Sequence, residues 1–210
     1  MAFAHFRRLS DEKQRDILNA SLEEFVQYGY DMASTNRIVE RAGIAKGTLF
    51  KYFSNKETLF LYLCEQCAEE IAYSYEEQLD DLPNDFIQAI KRIAFCEITL
   101  STERPELFYL FQHMAKHPGH PVYRKVIDRD REKTSLVMQR LIQLLAKKRL
   151  KEGVSLERIL LLMTWVIEGL KQKIFLDTEG MKQMTKEEWD CYVQEELNQT
   201  FDLLKCGIFS

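Results

Sequence analysis

The sequence predicts an all-α protein of about nine helices, and three observations predict it. Apolar residues recur at helical spacing almost throughout, and no alternating run is long enough for a useful strand. All four prolines (83, 105, 118 and 121) lie beyond residue 80, near expected helix boundaries. Good capping residues and glycines stand where the periodic runs begin and end. At 46% hydrophobic and 30% charged residues, the 210-residue chain has enough apolar material throughout to exclude a disordered protein.

The elements follow in order. Ser10 is a good N-cap, and Asp11 and Glu12 complement the dipole of the helix it opens. Ile17, Leu18, Ser21, Leu22, Phe25 and Val26 give that helix its apolar face, and Gly29 stops it in the left-handed manner that glycine permits. A short helix with a polar cap and a glycine stop is expected over 34–43, and another over 45–53. Ser54 to Glu57 reads as a capping box that opens a long fourth helix, with a stripe at Phe60, Cys64, Cys67, Ile71 and Tyr75. The segment 80–85 breaks the chain. Further helices are expected near 85–101, 105–117, 121–151, 155–176 and 186–206, the last two marked by Ser155 and by a Thr185–Glu188 capping box.

No targeting segment is visible, and the densest apolar run, 159–167, is far short of the roughly 20 residues a membrane span needs. Five cysteines (64, 67, 96, 191 and 206) are an odd number, which favours reduced thiols over a disulfide framework; together these features predict a cytoplasmic protein that does not contact membranes. The net charge of −4 is a poor omen for nucleic-acid binding, but its distribution is kinder. Residues 1–60 hold nine Lys/Arg against eight Asp/Glu, and the remainder holds 20 against 25.

A short helix, a glycine-centred turn and a second short helix form the helix-turn-helix plan, in which the second helix enters the major groove of DNA. Ile38, Val39, Ala42, Ile44, Leu49 and Phe53 can bury together and fix the angle between the two helices. Gly43 supplies the turn, and Gly47 lets the backbone come close to a phosphate. The other face of the second helix offers Lys46, Thr48, Phe50, Lys51 and Tyr52; an ordinary solvated face is the alternative.

Residues 25–59, FVQYGYDMASTNRIVERAGIAKGTLFKYFSNKETL, resemble the DNA-binding signature of the TetR family of bacterial transcriptional regulators, and the resemblance covers about 50 residues. It implies a three-helix DNA-binding domain over 1–56, joined by the long fourth helix to a larger helical ligand-binding and dimerisation domain over 57–210. It implies a recognition helix at 45–52, with Lys46, Gly47 and Tyr52 on or near phosphates and Thr48, Phe50 and Lys51 facing base edges. Ser34, Thr35 and Arg37 would anchor the supporting helix to the DNA backbone, and Lys56 would add a phosphate contact. Phe50 stands where tyrosine is frequent in the family, so it can pack on a thymine methyl but donates no hydrogen bond.

The same resemblance implies a homodimer built on the last two long helices, hence a palindromic double-stranded operator. Helix 155–176 is apolar nearly all round, so Leu160, Met163 and Ile167 are interface candidates, with Trp189, Val193, Leu197 and Phe201 from the final helix; purely internal packing is the alternative. A small, largely apolar inducer is expected, with Phe95, Phe108, Phe111, Met114, Tyr123, Met138 and Trp165 as pocket candidates, though aromatics and methionines at this spacing also serve as plain core. Release of a repressor by that inducer is the expected mode of action. No cofactor or metal is expected. His113, His117 and His120 form a conceivable metal constellation and Cys64-Glu-Gln-Cys67 a conceivable thiol sensor, each with a bland structural alternative. A helical enzyme or carrier is the rival class, but the chain has no Gly-rich phosphate loop, no HExxH and no GxSxG.

Overall fold

The computed structural model describes residues 3–131, 136–176 and 184–208, and among them are ten helices and no sheet. In chain order they are α1 (Asp11–Met32), α2 (Thr35–Arg41), α3 (Lys46–Tyr52), α4 (Lys56–Glu76), α5 (Phe86–Glu103), α6 (Pro105–Lys116), α7 (Pro121–Arg131), α8 (Leu136–Ala146), α9 (Leu156–Leu176) and α10 (Lys186–Ile208). The helix expected over 121–151 is seen as α7 and α8, and whether it is continuous across 132–135 lies outside the described residues. It ends at Ala146 rather than 151, where Lys147 and Lys148 N–H groups turn back to Leu144 and Leu145 carbonyls in a tightened last turn. Among the described residues, no helix is long and apolar enough to cross a membrane.

The expected caps are seen at the starts of α1, α9 and α10. The Lys13 N–H donates to the Ser10 hydroxyl at 3.4 Å, and the Thr185–Glu188 box is reciprocal, with Thr185 N–H on the Glu188 carboxylate at 2.8 Å and Glu188 N–H on the Thr185 hydroxyl at 3.2 Å. At α4 the cap is Asn55 and not Ser54: the Thr58 N–H donates to Asn55 Oδ1 at 2.8 Å, and Glu57, expected to complete a box, pairs with Lys125 at 2.5 Å.

The chain divides into two compact units, Met1–Glu70 with Arg104–Lys133, and Ile71–Glu103 with Thr134–Ser210. The first is built on Ile17, Leu22, Phe25, Ile38, Leu49, Phe53, Leu59, Phe60 and Leu63, all nearly or fully buried. The residues before α1 join this core, because the Phe6 ring packs on Phe53 at 4.9 Å and edge-on against Tyr62 at 5.4 Å. Helix α6 adds Leu107, Leu110 and Met114, and α7 adds Val122 and Tyr123.

The second unit packs α5, α8, α9 and α10 around Phe86, Ile90, Ala94, Ile98, Leu141, Leu145, Ile159, Met163, Ile174, Val193, Leu197 and Phe201. One charge lies inside it: Lys171 is buried, with Glu97 and Glu168 each 2.5 Å from its ammonium. Burial pushes the Lys171 pKa down, but the two carboxylates outweigh it and hold the ammonium above its ordinary value.

Candidate nucleic-acid interface

Helix α3 is only seven residues long, and Ala45 at its start gives no side-chain cap, so its position rests on what lies beneath and before it. Beneath it Leu49 and Phe53 are buried with Ile38, Val39 and Ala42, while Ile44 is half-buried. Before it, α2 ends in a Schellman turn: Gly43 takes φ 61°, its N–H donates to Glu40 O at 3.2 Å, and Ile44 N–H donates to Val39 O at 3.0 Å. The Lys13 ammonium on α1 donates to the freed carbonyl of Ala42 at 3.2 Å and ties this turn to the first helix.

The outward face of α3 carries the residues read as DNA contacts. Lys46, Gly47, Phe50 and Lys51 are exposed, and Thr48 and Tyr52 are half-buried. The Tyr52 ring meets Phe6 edge-on at 5.9 Å, which fixes its plane. A Cβ on Gly47 would meet nothing within 4 Å, so packing inside the protein does not require glycine there.

Three other sequence-predicted contacts are engaged within the protein. The Lys56 ammonium donates to the carbonyls of Tyr30 (2.7 Å), Asp31 (3.0 Å) and Ala33 (3.1 Å), and lies 4.7 Å from the Tyr30 ring centre. The Arg37 guanidinium donates to Glu24 on α1 from Nε (2.8 Å) and Nη2 (2.5 Å), and the Ser34 N–H joins the same carboxylate oxygen at 2.8 Å. Ser34 makes no side-chain cap, and the Thr35 side chain is half-buried at the start of α2. Burial pushes the Glu24 carboxyl up, but the Arg37 hydrogen bond, the Ser34 amide and the charges of Arg37 and Arg41 together hold it below its ordinary value.

The turn between α1 and α2 is gripped from α6 and α7. Gly29 sits at φ 66°, ψ 173° and kinks α1 before its last turn. The Tyr30 N–H released there donates to the Tyr123 hydroxyl at 3.0 Å, and His120 Nε2 lies 3.3 Å from the Asp31 carboxylate. The His120 ring packs on Tyr123 at 4.3 Å, and His113 lies edge-on to Tyr123 at 5.8 Å. Two of the histidines thus sit in an aromatic brace, and among the described residues no group of three or more His, Cys, Asp or Glu is arranged to hold a metal ion. Cys64 and Cys67 are buried; burial pushes both thiols up, Cys67 to about 12, which disfavours the reactive thiolate.

The expected pocket residues fall in both units. In the first unit Met114 and Tyr123 are buried and Phe108 and Phe111 half-buried; in the second Phe95 is half-buried, and Met138 and Trp165 are exposed. A cleft of about 530 Å³ lies against α1 and α4, lined by Arg15, Leu18, Asn19, Leu22, Glu23, Leu63, Gln66, Cys67, Glu70, Arg104 and Glu106. Of the expected dimer residues, Met163, Ile167, Trp189, Val193, Leu197 and Phe201 are buried within the second unit's own core, and Leu160 packs against it. Among the described residues, the large apolar side chains left exposed on α9 and α10 are Leu161, Trp165 (63% exposed) and Leu203.

Sequence reasoning missed Glu24 and Lys13. Glu24 carried one readable signal, since an acid seven residues after Ile17 and three after Ser21 falls on the buried face of α1 and needs a cationic partner. Nothing local pointed to that partner, 13 residues further on.

Residues 17–63 match the family model described as bacterial regulatory proteins, tetR family. The chain is 25% identical over 174 residues to the HTH-type transcriptional repressor AcnR of Corynebacterium efficiens, covering 81% of this chain and 87% of that one. It is 24% identical over 148 residues to the HTH-type transcriptional regulator YhgD of Bacillus subtilis, covering 70% and 72%. Its fold is shared with the crystal structure of a TetR family transcriptional regulator from Chloroflexus aurantiacus, at a TM-score of 0.70 and 22% identity, over 100% of this chain and 99% of the other.

Proposed function

We propose that the chain is a regulator of the tetR family, whose model residues 17–63 match, and that it is a homodimeric repressor that reads a palindromic operator with α3. The observation that carries this is the exposed face of α3. Two lysines, a bare glycine, a threonine and two aromatic rings stand over a core of Leu49 and Phe53, and α2 is tied at both ends to α1. Lys46, Gly47 and Tyr52 meet phosphates; Thr48, Phe50 and Lys51 meet base edges, with the Phe50 ring on a thymine methyl; Thr35 anchors α2 to the backbone. Residues 1–56 form the DNA-binding part, and 57–210 carry dimerisation and ligand response. Leu161, Trp165 and Leu203 are large apolar groups left in water, and a second copy of the chain covers them. A small, largely apolar ligand releases the operator; the half-buried rings of Phe108 and Phe111 on α6 are candidates to meet it.

Selection of bound sequences from a random DNA pool by the purified protein tests the reading. A palindrome is expected, with log affinity falling by about 0.9 per log unit of salt for each phosphate neutralised. No enriched sequence at low salt from a folded protein refutes it. On the recovered operator, Lys46→Ala weakens binding to all sequences alike, whereas Phe50→Ala changes preference at one base position.

A further inference from the structure

We propose that Glu24 is a positioning residue for DNA binding, and that Arg37 braces the helix-turn-helix instead of contacting the DNA backbone. The proposal rests on the DNA-binding reading above and adds which residues set the pose of the reading head.

Three successive turns of one α1 face hold the Arg37 guanidinium. The Glu24 carboxylate takes its Nε and Nη2, the Tyr28 ring lies under it at 4.2 Å, and the Met32 carbonyl accepts from Nη2 at 3.0 Å. Reaching a phosphate with Nε or Nη2 means leaving these partners. The cost of doing so falls on Glu24, whose side chain is 0% exposed and whose Oε1 already collects the Ser34 N–H and both Arg37 donors. Its other oxygen has no hydrogen bond, and Arg41 lies 3.9 Å from it. A buried carboxylate stripped of its main partner is strongly disfavoured, so Arg37 stays where it is.

This grip matters for DNA because α2 has only seven residues and no side-chain cap of its own. Glu24 fixes its first turn through Ser34 and Arg37, and Lys13 fixes its end through Ala42. Only four residues separate α2 from α3, so a shift of α2 carries the recognition face with it.

The test is a double-mutant cycle on the selected operator, with affinity measured against salt for the native protein, Glu24→Gln, Arg37→Gln and the pair. Each single change is expected to weaken operator binding by about tenfold, and the pair no more than the worse single change, because both break one link. The salt slope stays at the native value in all of them. A salt slope lowered by about 0.9 in Arg37→Gln, with Glu24→Gln binding within about twofold of native, makes Arg37 a phosphate contact and overturns the proposal. Multiplying losses in the pair overturn it as well. Arg37→Lys guards against a misfolded Glu24 variant: it keeps the charge and loses the fork, so it behaves like Arg37→Gln if Arg37 positions and like native if it meets a phosphate. Native protein that selects no operator fails the underlying reading before any variant is made.

Discussion

Gly29→Ala is the substitution whose cost follows most directly from the structure. At φ 66° and ψ 173° the backbone lies in a region that is nearly closed to residues with a Cβ, and occupying it costs about 1–3 kcal/mol. The new methyl also lands 2.9 Å from His113 Nε2 and 3.3 Å from His113 Cε1. An imidazole at the end of a side chain can turn away, but this ring is edge-on to Tyr123 and 4.9 Å from His117, so leaving its rotamer adds about 0.5–1.5 kcal/mol. The total is about 2–4 kcal/mol. For a protein of this size each kcal/mol moves the melting temperature by about 2–4 °C, so a drop of roughly 4–16 °C is expected. Circular dichroism melting at one fixed protein concentration measures it, since a dimer's melting point depends on concentration. Removing the imidazole as well, in Gly29→Ala with His113→Ala, relieves only the clash and leaves the strain. A loss of under 1 °C in the single variant, or complete recovery in the double one, would falsify the backbone argument.

Trp165→Asp puts a charge on the exposed apolar face of α9, and sedimentation should show a folded monomer with operator affinity lowered at least tenfold; an unchanged dimer moves the interface elsewhere. His113 tests the pH response of the brace. Burial first, then the charges of His117, Lys116 and His120, hold its pKa below the ordinary 6.5. The unfolded chain therefore takes up the proton before the folded one does. The stability that His113 contributes is present above about pH 6.5 and is lost as pH falls through the folded value. Melting temperature in His113→Gln should fall less steeply than native between pH 7 and 5, and parallel curves would refute the assignment.

The punctuation of the fold was legible because it is local. Ser10, Gly43, Ser155 and the Thr185–Glu188 box act on backbone groups within a few residues, so spacing alone identifies them. The helix-turn-helix was legible for the same reason, down to the glycine at its turn and the burial of Leu49 and Phe53. Gly29 could be read as a break, and it kinks α1 rather than ending it; the His113 imidazole that adds to its need for glycine lies 84 residues away.

What the tertiary structure alone decided is the assignment of side chains with more than one use. Arg37 and Lys56 are cations near α3 that look alike in the sequence, yet Glu24 holds the one and the carbonyls of 30, 31 and 33 hold the other. Helix α9 is apolar nearly all round, so its periodicity names no inner face. Packing against α5, α8 and α10 sends Met163 and Ile167 into the core and leaves Leu161 and Trp165 in water. A sequence determines what each residue can do over the span of one helical turn; which of those capacities is used depends on partners tens of residues away, brought together only when the chain has folded.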